Sequence, residues 1–94
     1  MAADRGAAPA QWTIGSCFAN GDGVAKDYAE AFRFYKLAAD QGLTVAEYNL
    51  GCAHEDGEGV ARDTAETIRW YERAAAKGYE NAKTALADLR ALGV

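Results

Sequence analysis

Residues 20 to 27 read NGDGVAKD and residues 56 to 63 read DGEGVARD, so one glycine-rich loop occurs twice, 36 residues apart. Both copies keep two glycines, Gly21 and Gly23 then Gly57 and Gly59, which are free to adopt the positive φ that a sharp turn requires. Both keep a valine, Val24 then Val60, expected to anchor the loop against neighbouring helices, and an aspartate, Asp27 then Asp63, expected to open the next helix. Asp27 with Glu30, and Asp63 with Glu66, have the spacing of a capping box. There the Asp side chain accepts from an early helix N–H while the Glu reaches back to the cap.

Outward from the loops, the apolar residues recur with a helical period. After the first loop Tyr28, Ala31, Phe32, Tyr35, Ala38 and Ala39 form a stripe, widened by Phe34 and Leu37, that stops at Gly42. A stripe of that width suits a helix packed on two neighbours. Before the loop, a helix over 9–20 places Ala10, Ile14, Cys17 and Phe18 on one side, expected to be core, and Trp12, Ser16 and Ala19 on the other. The second copy repeats these steps with a helix over 45–55 and another from Asp63 to Lys77, before Gly78. Between 10–45 and 46–81, 14 of 36 positions are identical. About three or four matches would arise by chance at this composition, so these are internal repeats. A fifth helix over 81–92 keeps Ala82 and Leu86 in register but has Ala87 where the copies have Gly15 and Gly51, and no glycine loop follows it. It is expected to cap the last open face. At the other end AADRGAAPA (2–10) resembles AADQGLTVA (38–46), so residues 2–9 look like the tail of a preceding, truncated repeat. The expected fold is all-α: one domain, an α-α superhelix of two helix-turn-helix repeats, 10–45 and 46–81, with a C-terminal capping helix over 82–94.

Composition narrows the function. A chain of 94 residues buries only about 60 to 65% of the surface its unfolded form exposes, so the core is thin. The net charge of −4, with Lys and Arg scattered, argues against nucleic acid and anionic membranes as partners and leaves protein. No stretch approaches the roughly 20 apolar residues of a membrane span. No charged start followed by an apolar run marks a secretory signal, so a soluble chain, cytoplasmic rather than exported, is the expectation. That expectation leaves room for a leader upstream if the chain is an excerpt.

AEYNLG (46–51), DGEGVARD (56–63) and IRWYERAAAKG (68–78) together resemble the Sel1-like repeat family, relatives of the tetratricopeptide repeats. The likeness covers nearly the whole chain. It implies antiparallel helix pairs stacked into a right-handed superhelix, acting as a scaffold or adaptor that brings proteins together, with no shared chemistry and no cofactor. The sequence departs from the family at Phe18 and His54, where tyrosine is usual, and in carrying only two full repeats. At least three repeats are usually needed to bury a solenoid core, so a structural subunit or a fragment of a longer array is the alternative reading.

Other chemistries find little support. Asn20, Asp22, Asp56 and Glu58 lack the ligand spacing of a calcium loop and suit a solvated turn. His54 is the single histidine, with no nucleophile and second base to complete a triad, so a hydrolase is the weakest alternative and no catalytic, metal or cofactor residues are assigned. Cys17 and Cys52 sit at neighbouring but unequal repeat positions and are expected to be free thiols. Arg33, Lys36 and Arg69 suit an exposed polar face. Trp12 and Tyr48 share one repeat position on the far side of the first helices. Ser16, Cys52, Glu55, Thr84 and Asp88 extend that surface, which lines the concave groove in related superhelices. Aromatic rings there serve either as partner anchors or as packing between repeats.

Overall fold

The computed structural model describes residues 7–93. Among them are five helices and no strand: α1 (Ala8–Asn20), α2 (Tyr28–Asp40), α3 (Thr44–Asp56), α4 (Thr64–Ala76) and α5 (Glu80–Ala91). Each packs chiefly on its neighbours in sequence, giving an all-α repeat superhelix 42 × 25 × 17 Å in extent. None of the described helices is long and apolar enough to cross a membrane. Ala8 and Pro9 form the first turn of α1, where proline's missing N–H costs nothing; the sequence pattern starts this helix at Pro9, although both residues fall in the stretch that resembles a preceding repeat's tail. Residues 2–6 of that tail lie outside the described residues.

The two loops fold alike because the same residues dictate the same backbone. Gly21 (φ 73°) and Gly57 (φ 71°) end α1 and α3 in the left-handed conformation, their N–H groups donating to Cys17 O and Ala53 O. Asp27 and Asp63 then cap α2 and α4, each accepting the N–H of the glutamate three residues on at 3.1 Å. The second half of the expected capping box does not form. The Asp27 and Asp63 N–H groups donate to Phe18 O (2.9 Å) and His54 O (3.0 Å), carbonyls in the last turn of the preceding helix that have no partner within it. With that donor already satisfied, Glu30 and Glu66 turn outward to Arg33 (3.2 Å) and Arg69 (2.7 Å).

The valine expectation holds unequally. Val60 is half-buried, but Val24 is 42% exposed. The cause is position in the stack. Loop two rests on the start of α2, so close that a Cβ on Gly59 would overlap the Tyr28 carbonyl. Around Gly23 the described residues leave open space, with none of them packed against it as the start of α2 is packed against Gly59.

The side of α1 expected to be core is also only partly so. Ala10 is exposed, Ile14, Cys17 and Phe18 are half-buried, and the buried positions are Gln11 and Gly15. Among the described residues α1 packs chiefly on α2, and the stripe it buries faces that helix. The core proper comes from the middle helices: Ala31, Tyr35, Ala38, Ala39, Ala46, Leu50 and Trp70 in one cluster, and Tyr71, Ala74, Ala82, Leu86 and Leu89 in a second where α5 covers α4.

Candidate functional site

Within each repeat a tyrosine of the second helix lies against a glycine of the first. A Cβ on Gly15 would fall 2.9 Å from the Tyr35 ring, and one on Gly51 only 2.5 Å from the Tyr71 ring, so only glycine lets the helices approach this closely. The α5 position in register is Ala87, which is exposed.

The tyrosine hydroxyls cross to the first helix and engage three of the sequence-derived candidates. Tyr35 OH donates to Ser16 Oγ at 3.3 Å. Tyr71 OH lies 2.6 Å from Glu55 Oε1 and 3.4 Å from Cys52 Sγ. Burial, followed by the bonds to Cys52 and Glu55, pushes the Tyr71 hydroxyl far above the ordinary phenol range. Burial likewise raises the Cys52 thiol, outweighing the donated bonds from Tyr71 and Tyr48. That thiol is a packing group in its neutral form, and both Cys17 and Cys52 are unpaired.

Trp12 and Tyr48 are half-buried, and Trp12 joins the first repeat to the second. Trp12 Nε1–H donates to Asn49 Oδ1 at 2.7 Å, bridging α1 and α3. Tyr48 stacks on Tyr71 (5.4 Å between centroids) and tilts against Tyr79 (5.2 Å), with its hydroxyl pushed up to about 12, chiefly by burial. Thr84 and Asp88 on α5 are exposed. Cys52, Glu55 and Tyr48 are thus brought together around Tyr71, Ser16 and Trp12 occupy the corresponding part of the first repeat, and Thr84 and Asp88 stand open to solvent.

Several participants escaped sequence reasoning. Asn49 and the buried, equivalent Gln11 and Glu47 carry no apolar signal, and Tyr79 lies between the helical stripes. Tyr35 and Tyr71 did, in that they recur in both copies together with Gly15 and Gly51. Gln11 is 2% exposed and its Oε1 accepts from Gln41 Nε2 at 2.7 Å. Glu47, at the same repeat position, is 1% exposed. Lys77 Nζ lies 3.1 Å from each of its carboxylate oxygens, aligned for a hydrogen bond only with Oε2, so Oε1 is reached by charge alone. Lys77 also donates to Gly42 O at 2.9 Å. His54 packs edge-on against Phe32 (5.5 Å) with a buried, unpartnered Nδ1.

Between α1 and α3 a cleft of about 250 Å³ opens beside these contacts. Its walls include Asn20, Asn49, Cys52 and Glu58 together with Tyr28, Phe32 and Tyr35 of α2.

The comparisons with known proteins agree with this architecture. The Sel1 repeat family model matches residues 8–43 and 44–79, placing each repeat boundary two residues earlier than the sequence pattern alone. A Sel1 repeat protein from Oxalobacter formigenes is similar at 46% identity and a TM-score of 0.89, over 93% of this chain and 65% of that one. The protective antigen c5321 of uropathogenic Escherichia coli, which displays an SLR fold, is similar at 40% identity and a TM-score of 0.89, over 93% of this chain and 19% of that one. The Helicobacter pylori cysteine rich protein B is similar at 25% identity and a TM-score of 0.79, over 84% of this chain and 59% of that one. This chain therefore spans less than two thirds of each of these relatives. No curated protein sequence matches it. Sel1 repeat proteins are in general protein-interaction modules, and their fold is a non-catalytic repeat scaffold. With two tandem family matches over most of its length, this chain belongs to the Sel1 repeat family.

Proposed function

We propose that the chain is a protein-binding scaffold or adaptor that docks a peptide or partner helix along the side of α1, α3 and α5 carrying Trp12, Ser16, Tyr48, Cys52, Glu55, Thr84 and Asp88. The observation that carries this reading is that one repeat position, Trp12, Tyr48 and Thr84, keeps access to solvent on three successive first helices, partial at the two rings and open at Thr84. Hydrogen bonds and ring contacts hold its two aromatic members in fixed orientations. Rings immobilised in this way lose little entropy on binding. Photo-crosslinkers at Thr84 and Asp88 should then capture the partner, whereas one at exposed Ala76 on α4 should not. Equal capture from Ala76 would remove the assignment of this side.

The second reading, a subunit or a piece of a longer repeat array, draws on exposed Val24 and the open space at Gly23. In that reading a further helix pair covers loop one as α2 meets loop two. A cooperative, high-temperature melt of the isolated monomer would count against it.

A further inference from the structure

We propose that the cleft between α1 and α3 receives a cationic side chain, arginine or lysine, of a bound peptide. The inference rests on the peptide-docking reading above and names one subsite within it. At about 250 Å³ the cleft falls below the roughly 300–1,000 Å³ of sites that enclose whole small ligands, and suits a single long side chain.

Its chemistry selects the charge. Tyr28, Phe32 and Tyr35 contribute aromatic rings, whose faces carry the negative end of the ring quadrupole. Asn20 and Asn49 supply carboxamides, and Glu58 supplies a carboxylate from loop two. No cationic side chain lines the cleft among the described residues. A neutral apolar side chain would leave the carboxylate and carboxamides without new partners, whereas a guanidinium can stack on a ring and donate to them at once.

The chain itself provides a stand-in for the ligand. Lys26 Nζ sits 5.1 Å from the centroid of the Tyr28 ring, so one face of this aromatic set already attracts a cation. A hydrogen bond with Tyr28, the largest contribution, raises the Lys26 pKa, and Glu58 adds a smaller push in the same direction. Lys26 is exposed and lies against Tyr28, so it competes with an incoming cation for Tyr28 and Glu58.

The test is amide-resolved NMR titration with alanine-rich acetylated heptapeptides carrying arginine, citrulline or norleucine at the centre. The arginine peptide should give saturable shifts at Tyr28, Asn49 and Glu58, well ahead of citrulline, its neutral isostere. Glu58→Gln should weaken binding about fivefold and Lys26→Met should tighten it about threefold. Lys83→Met on α5, which changes net charge equally, should move affinity by less than about twofold. Equal binding of citrulline or norleucine, or no saturable shift at the cleft up to about 10 mM, overturns the proposal. Shifts confined to Thr84 and Asp88 would overturn the cleft while leaving the docking reading in place.

Discussion

Gly51→Ala tests the helix approach on which both repeats depend. The added Cβ would lie 2.5 Å from Cδ1 and Cε1 of Tyr71 and 3.3 Å from Thr67 O. The Tyr71 ring is 1% exposed and its hydroxyl is held by Glu55 at 2.6 Å, so it cannot swing aside without breaking that bond or displacing α4. Overpacking of this kind costs about 1–3 kcal/mol, and a lost hydrogen bond adds about 1 kcal/mol. Replacing a mid-helix glycine by alanine returns about 1 kcal/mol of helix propensity. The net loss is about 1–3 kcal/mol. At about 4–8 °C per kcal/mol for a domain of this size, the midpoint of a circular-dichroism melt should fall by roughly 5–20 °C. Gly15→Ala is the internal control, because its Cβ would lie 2.9 Å from a Tyr35 ring held by a longer 3.3 Å hydrogen bond. There propensity and overlap nearly cancel, and the melt should shift by less than about 5 °C. In a Tyr71→Leu background Gly51→Ala should cost nothing further. A Gly51→Ala protein as stable as the parent would refute the account of the glycine.

Two further perturbations probe the loops and the aromatic cluster. Gly23→Ala should cost about 1 kcal/mol from its φ of 77° alone, while Gly59→Ala should cost roughly 2 kcal/mol more in urea titrations, since its Cβ meets the Tyr28 backbone, which cannot yield as a side chain does. Equal losses would mean that loop two does not rest on α2. Tyr48, raised to about 12 by burial, keeps its proton in the fold after an unfolded tyrosine, near 10, has lost it. The unfolded state then binds fewer protons, so this contribution is complete below pH 10 and is lost as pH rises toward 12. Tyr48→Phe should flatten that alkaline fall in stability, and an unchanged pH profile would contradict the burial of the hydroxyl.

The fold was legible because its determinants are local. The loop glycines need positive φ, the aspartates cap the next helix, and the stripe from Tyr28 to Ala39 faces two neighbours wherever the chain is placed. The site was less legible because helical periodicity records hydrophobicity rather than which neighbour is present. Ile14 and Val24 have core character but lie at the open end of the stack. Gln11 and Glu47 have surface character but lie where α1 and α3 meet the ends of α2 and α4. Trp12 and Tyr48 stand apart from the main stripe in the sequence pattern, yet both rings pack against the core clusters, and their hydrogen bond and ring contacts depend on Asn49 of α3, Tyr71 of α4 and Tyr79 just before α5.

The buried polar pair shows that the two copies reached one geometry through different chemistry, and it can be tested by exchange. In the first repeat Gln11 meets Gln41, and in the second Glu47 meets Lys77, at the same pair of positions. Lys77→Gln alone leaves a carboxylate that is 1% exposed facing a carboxamide, with Arg73 4.0 Å away as its remaining cation. Removing one partner of a fully buried ion pair costs about 3–5 kcal/mol. The Lys77 side chain is 42% exposed and Arg73 remains, so about 1–3 kcal/mol is expected here. Glu47→Gln alone should cost about 1 kcal/mol, because Lys77 can keep its bond to Gly42 O and turn its charge to water. The double substitution recreates the first-repeat pair, and a cycle of urea titrations should show it recovering at least about 1 kcal/mol relative to the sum of the single losses. Additive losses would mean that the two glutamines of the first repeat are held by their surroundings rather than by each other. The ion pair would then be incidental to how α3 meets the end of α4.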